Sequence, residues 1–452
     1  MRVRPDAAEG VIMSNPQKLT RRGLLVGAAG LGALGALSAC SQLTPGAAPG
    51  AKGAGGKAQI WVDSNDVLNP IQQQAIDRFN ATSKTKMSLV PVPSTQSMND
   101  KVRAAINTPN KPNLFFNWAG GSIREYAEAG LLVDMTDKLN SDTTWRDSFV
   151  KSVLDAGKID DKYYDIPMKG MQPVVLFYNK TMFADVGVEP PETWDDIKSL
   201  VTAFKRKSIT PFVLGGQDSW TELMYLEFLV DRLGGPEVFQ RVEGGDNAGW
   251  GDPVFLKSLE MIRELVDMGA FGSNYASIGY GNGSASALFA KGKAAMHLMG
   301  TWEFTSQQGS DPKFVKNDLA YTNFPAVDGG KGDPKNTAGN PTNYFAVTKT
   351  DVSDACVEFL HSQMTNRDYI DAMIKAGEVP AIADLGDRLD KHPNPGFAKA
   401  VYEIAQTAPS FTLSWDQALP SNIGDAVVTN LQKVFNKQIQ PADWVAAMKN
   451  VN

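Results

Sequence analysis

Four of the nine tryptophans stand among small and polar residues instead of in apolar runs. They are Trp118 in Asn117-Trp118-Ala119-Gly120-Gly121, Trp220 in Asp218-Ser219-Trp220, Trp302 in Gly300-Thr301-Trp302, and Trp415 in Ser414-Trp415-Asp416. An indole in such a loop offers an apolar face with hydrogen-bonding groups beside it. A sugar ring has the matching surface: an apolar C–H face and a polar hydroxyl rim. For any single tryptophan, ordinary packing explains the residue equally well. Trp194 opens a helix, and Trp444 shares a face with Val445 and Met448 on the last one, so both read as core.

Other chemistry is searched for and not found. The three histidines, His297, His361 and His392, are far apart and show no metal-ligand spacing. The chain has two cysteines, Cys40 and Cys356. With Cys40 lipidated, as argued below, Cys356 is left without a disulfide partner, and a cysteine metal site is excluded. Cys356 shares a helical stripe with Val352, Phe359 and Leu360 and reads as a small buried hydrophobe. There is no GxSxG nucleophile elbow and no phosphate-binding loop. Carboxylates are plentiful, 50 in all, so a glycosidase pair is never excluded by sequence alone, because its two acids can meet from anywhere.

The elements that must position these loops alternate. Residues 58–62 read as a strand, 69–82 as a helix, 87–92 as a strand, 99–107 as a helix and 113–116 as a strand. This alternation predicts an α/β fold with a mainly parallel sheet covered by helices. Its ligands would lie beyond the C-terminal strand ends, where residues 61–66 and 117–122 fall. Further on, 174–178, 293–299 and 343–347 read as strands. Residues 192–205, 221–233 and 253–268 read as helices, and helices dominate after 351. A Gly- and Lys-rich loop covers 328–339.

Of 452 residues, 42% are hydrophobic, and the net charge is −6. That balance argues against a nucleic-acid partner, which needs a basic face. The N-terminus is more specific. Lys18-Leu19-Thr20-Arg21-Arg22 is basic, residues 24–37 are apolar, and Leu37-Ser38-Ala39-Cys40 closes the segment. This order is that of a secretory signal. The apolar run is about 14 residues, short of the roughly 20 that span a membrane. Arg21-Arg22 resembles a twin-arginine signal, and Leu37–Cys40 resembles a lipobox, which implies a lipid (palmitate) on Cys40. Met13 is an alternative start. Residues 41–57, rich in Gly, Ala and Pro, read as a flexible tether. Without signal and tether, roughly 395 residues remain, enough for two domains.

Three segments carry a family resemblance. One is Leu176-Phe177-Tyr178-Asn179-Lys180, with Phe183, Gly187 and Pro190-Pro191-Glu192-Thr193-Trp194-Asp195-Asp196. The second is Phe289-Ala290-Lys291-Gly292-Lys293-Ala294-Ala295-Met296, continuing to Trp302. The third is Phe116-Asn117-Trp118-Ala119, continuing to Tyr126-Ala127-Glu128-Ala129-Gly130-Leu131. Over nearly all of residues 58–450 the chain resembles the extracellular solute-binding proteins of bacterial ABC importers, the family that includes maltose-binding protein. The resemblance implies a periplasmic-binding-protein-like fold, with two α/β lobes joined by three chain crossings near 171–174, 339–342 and 377–381. The first lobe would take 58–172 plus 342–378, and the second 173–341 plus 379–452.

Carried over residue by residue, the resemblance places Ser64, Asn65 and Asp66 after the first strand as hydrogen-bonding groups. It makes Trp118, beside Asn117, and Trp302 stacking residues. Gln172 falls at the hinge, where the maltose binder has an acidic residue. Trp220, Trp415 and Asp416 would border the cleft from the second lobe. Gly120 and Gly121 depart from the charged residues of the maltose binder, and its lysine after the first strand is absent, so maltose specificity is not implied. The chain looks nearer to actinobacterial binders of xylobiose, chitobiose or α-galactosides. The implied protein is a monomeric, extracytoplasmic lipoprotein that passes a disaccharide or trisaccharide to an ABC permease. It has no cofactor, no metal and no catalysis. The alternatives are a surface-anchored glycoside hydrolase, or the same fold binding a non-sugar solute.

Overall fold

The structure is a computed structural model and describes residues 56–92 and 95–451. The expected signal peptide (1–39), Cys40 and almost all of the tether lie outside the described residues. The tether ends earlier than expected, because Lys57 already belongs to the first strand.

The chain opens with β1 (Lys57–Asp63), β2 (Lys86–Val92) and β3 (Leu114–Asn117). Helices Leu68–Thr82 and Thr95–Ala105 lie between them. A hairpin of β4 (Lys158–Ile159) and β5 (Lys162–Tyr163) precedes β6 (Asp165–Pro167). A second sheet then takes β7 (Gln172–Asn179), β8 (Thr210–Phe212), β9 (Ala294–Gly300), β10 (Leu319–Thr322) and β11 (Thr337–Asn340). The chain returns to the first sheet for β12 (Tyr344–Val347) and to the second for β13 (Phe411–Leu413).

The sheet orders are β2-β1-β3-β12-β6 and β13-β11-β7-β9-β8, with β10 also paired to β7. Two lobes are thus present, but their sheets are mixed, not mainly parallel as expected. In the first, β1 runs parallel to β2 and β3, whereas β12 is antiparallel to β3 and β6. In the second, β7 is antiparallel to β9, β10 and β11, while β8 and β13 run parallel to their partners. The reason lies in the crossings. A strand arriving from the other lobe enters at the edge where its neighbours end, so β7 and β12 run against them.

Local sequence explains the helices. Leu68, Ala75, Ile76 and Phe79 turn one stripe of helix Leu68–Thr82 into the first lobe. Helix Trp194–Arg206 starts at a capping box between Thr193 and Asp196 and buries Trp194, Ile197, Leu200, Val201 and Phe204. Helix Trp220–Gly234 is buried on nearly every side, so it runs through the second lobe's interior. Cys356 is fully buried, as its stripe predicts, and burial pushes its thiol up to about 12. Trp444 is core too, donating from Nε1 to the Val427 carbonyl at 3.3 Å.

The three crossings are bonded to one another. Thr342 donates from Oγ1 to the Lys169 carbonyl at 2.9 Å. Met171 N donates to the Val379 carbonyl at 2.8 Å, and Gly170 N to Glu378 Oε2 at 3.1 Å.

The Gly- and Lys-rich loop before β11 is held by a buried cation. Arg232 pairs with Asp231 at 2.6 Å and donates from Nη2 to the carbonyls of Phe324, Pro334 and Asn336 at 3.3, 3.1 and 3.0 Å. Removing the guanidinium strands these acceptors and Asp231 together. Arg232→Leu is expected to cost about 3–5 kcal/mol, read as a lower urea midpoint at unchanged slope. A wild-type midpoint would show that the clamp carries no weight.

Candidate functional site

Strand direction alone gathers the candidate residues. β1 and β3 end at the edge of the first sheet where β6 leaves for the hinge, because Tyr344 of β12 faces both Asn117 and Pro167. In the second sheet, Gly300 at the end of β9 faces Val174 near the start of β7. β8 and β13 end on that same edge, as their pairings to β9 and β11 require. The loops after β1, β3, β8, β9 and β13 therefore all lie at the sheet edges where the chain crosses.

In the second lobe the structure brings Trp220 and Trp302 together, with ring centroids 6.1 Å apart. Tyr280 packs edge-on to Trp220 at 5.2 Å. Both tryptophans are only partly buried. Thr301 N donates to the Pro173 carbonyl at 3.0 Å, which ties the start of helix Trp302–Ser310 to the hinge strand. Asp218 accepts from Tyr280 N at 2.6 Å and Gly281 N at 3.1 Å, so the two loops are fixed to each other.

Beneath the rings lies a buried polar network. Glu303 accepts from Tyr280 Oη at 3.0 Å, Ser286 Oγ at 2.8 Å and Gln307 Nε2 at 2.6 Å. His297 Nδ1 stands 3.4 Å from Glu303 Oε1, an ion-pair distance longer than a good hydrogen bond. Burial raises the Glu303 carboxyl, but His297 and these donors more than offset it and leave it below its ordinary value. Burial, then Glu303 itself, pushes the Tyr280 hydroxyl well above its ordinary value. Tyr280 is thereby a fixed donor.

The first lobe contributes differently from expectation. Trp118 follows β3 and is largely covered, its ring 4.7 Å from Phe116 and edge-on to it. Asn117 is engaged internally. Its Nδ2 donates to Asp165 Oδ1 at 2.8 Å and its Oδ1 accepts from Ala119 N at 2.6 Å, so it is buried and shapes the loop. Asn65 uses its Oδ1 to accept from Val67 N and Leu68 N at 3.0 and 2.9 Å, which starts the first helix. Ser64 and Asp66 are exposed.

Gln172 begins β7 in register with Asn340 and is buried. Trp415 is a correction. Its ring stacks on Phe239 at 4.4 Å and meets Phe255 edge-on at 5.9 Å, so it is second-lobe core without a free face. Asp416 is half-buried and accepts from Gln417 Nε2 at 3.0 Å, and burial raises its carboxyl.

Two further residues escape sequence reading. Asp63 closes β1, half-buried. Burial raises its carboxyl, and the charge of Lys169 in the first crossing lowers it in part. Its place at the end of a parallel strand was the available signal. Tyr280 had none, since its role depends on Trp220, 60 residues earlier. Among the described residues no His, Cys, Asp and Glu cluster could hold a metal, and no helix is long and apolar enough to cross a membrane.

Known proteins share this fold. The model of the bacterial extracellular solute-binding proteins matches residues 63–362. The chain belongs to that family. It is a family of binding proteins, not enzymes, and it acts outside the cytoplasm. A multiple sugar-binding protein of Streptococcus mutans is 27% identical over 57% of this chain and 58% of its own length. A probable sugar-binding periplasmic protein of Rhizobium meliloti is 24% identical over 77% of this chain and 81% of its own. Several relatives are matched over only about half of their length, for example 42% and 48% of two Pyrococcus horikoshii extracellular-binding proteins. Among solved structures, one from work on xylan utilization by Caldanaerobius polysaccharolyticus has a TM-score of 0.76 at 25% identity, covering 87% of this chain and 99% of that one. A chitin oligosaccharide binding protein has a TM-score of 0.77 at 24% identity over 87% and 97%.

The loop bearing Trp118 rests on a carboxyl that pH can probe. Asp165 is completely buried, and burial raises it to about 7 although its bond from Asn117 opposes the shift. The folded state holds this proton longer than the unfolded chain does. Its contribution is therefore intact below about pH 4 and is lost as pH rises toward 7. Asp165→Asn removes the titration. Its stability relative to wild type is expected to rise between about pH 4 and 7 and then level off, by at most about 4 kcal/mol. Urea midpoints of both proteins across that range check this, and a pH-independent difference would count against it.

Proposed function

We propose that this family member captures a disaccharide or trisaccharide between its lobes and delivers it to an ABC permease. The observation that carries the reading is the aromatic group of Trp220, Trp302 and Tyr280 at the hinge edge, with the Glu303 network beneath it. Flat, partly open rings stack on pyranose faces, while Asp63, Gln172 and Asp416 reach hydroxyls from the strand ends. The sugar-binding names of the relatives support the same class. Trp118 would wall the site from the first lobe, with Ser64 and Asp66 at its mouth. Closure would follow from the sugar bonding both lobes at once, because only the closed form makes both sets of contacts.

The lobe limits belong to the same proposal: 58–172 plus 342–378 for the first, 173–341 plus 379–452 for the second. So do the monomeric state, the twin-arginine export signal and the lipid on Cys40. Anchoring would keep the protein near its permease and raise its effective concentration there.

Calorimetric titration with xylo-, chito-, malto- and α-galacto-oligosaccharides tests the capture. One of these series is expected to bind. Trp302→Ala and Trp220→Ala should each weaken it by about 2 kcal/mol, roughly thirtyfold, with folding retained. Absence of heat and thermal shift with every sugar would sink the reading. Cys40→Ser is expected to move the protein from the membrane fraction to the medium; unchanged fractionation would remove the anchor.

A further inference from the structure

Two backbones from opposite lobes meet with almost no side chain between them. Helix Gly121–Glu128 follows β3 in the first sheet, and the short helix Trp415–Ala418 follows β13 in the second. A Cβ on Gly121 would overlap the Leu419 carbonyl and lie 2.8 Å from Pro420 N. A Cβ on Gly120 would lie 2.8 Å from Leu413 Cδ2 and 2.9 Å from the Gln417 carbonyl oxygen. Arg103 of the first lobe adds a contact along the same seam, Nη2 to Ser421 Oγ at 3.4 Å.

Each side is held from below. In the first lobe, Asn117 pins Ala119 N, with Ala119 at φ 65°, and Asp165 pins Asn117. In the second, Glu227 Oε1 accepts from Ser414 Oγ and Trp415 N, both at 2.8 Å, above the Trp415–Phe239 stack. Neither side can yield by a rotamer change, because most of the meeting atoms are main chain.

We propose that Gly120 and Gly121 are positioning residues for capture. Their missing side chains let the lobes meet beside Trp118 and so set the closed lobe angle. This rests on the capture reading above. Gly121 is the cleaner probe. Gly120 has φ 61°, where any side chain is strained in every state. Gly121 opens a helix with negative φ, so a side chain there costs nothing while the lobes are apart and is penalised only by the seam.

The experiment compares wild type with Gly121→Val, Gly121→Ala and a control, Gly309→Ala, whose site has nothing within 4 Å. Affinity is measured for the oligosaccharide that wild type binds, together with the thermal midpoint and the small-angle scattering of free and loaded protein. Gly121→Val is expected to bind at least roughly tenfold more weakly, with an unchanged midpoint without sugar and a larger radius of gyration than wild type when loaded. The control should match wild type. Wild-type affinity and superimposable scattering in Gly121→Val would overturn the proposal and leave the capture reading standing. If wild type binds no sugar in the panel, the capture reading fails by that result and this proposal, which rests on it, falls with it. Should Gly121→Val not fold, Gly121→Ala is judged by the same outcomes.

Discussion

The structure depends on one constraint: the chain passes between its two sheets three times at a single pair of edges. The crossings lie side by side, joined through Thr342 and Lys169, Met171 and Val379, and Gly170 and Glu378. That arrangement decides strand direction, because β7 and β12 must enter where their neighbours finish. It also decides where the loops at the strand ends sit. Loops at strand ends on that edge are carried by one lobe yet lie near the other. Asp63 and Gln172 lie at strand ends on these edges, and Trp118, Trp220 and Trp302 in the segments that follow such ends, although they come from separate stretches of sequence.

A second theme is the use of buried carboxyls to shape loops. Asp165 holds Asn117, Glu227 holds the turn at Ser414, and Glu303 holds Tyr280. Each lies at most a few residues from a candidate contact, and each has given up water. Burial raises Asp165 to about 7 and Glu227 to about 8, with partial relief from their donors. Glu303 has a histidine and more donors and stays low. Burial thus favours the protonated form of the first two, whereas the histidine and the donors favour the anion of the third. A loop fixed this way loses less entropy when a ligand arrives than one that must first be ordered.

Much of the fold could be read from sequence because its long elements carry strong periodicity. The helix Pro253–Asp267 and the strands β1, β2 and β7 match expectation within a residue or two. The strands β6, β8, β11 and β13 escaped notice: each has only three or four residues, too few to show alternation, and pairs with strands far away in the chain. Tryptophans 118, 220, 302 and 415 share the same polar-small neighbours, yet Trp415 is core. Composition near a residue says nothing of Phe239 and Phe255, which reach it from well over 100 residues earlier. Asn65 and Asn117 show the converse. Their Oδ1 atoms turn inward, where the amides of Val67, Leu68 and Ala119 need acceptors.

The fixed geometry of the Trp220–Trp302–Tyr280 group has a thermodynamic consequence. Its rings already pack on one another, and the Glu303 network holds Tyr280 in place. Water over such a surface finds few hydrogen-bond partners and is easily displaced. A ligand that covers the rings therefore releases poorly bound water without first reorganising the protein. Under the proposed capture the heat capacity would fall on binding, and the favourable term near room temperature would be enthalpy more than solvent entropy.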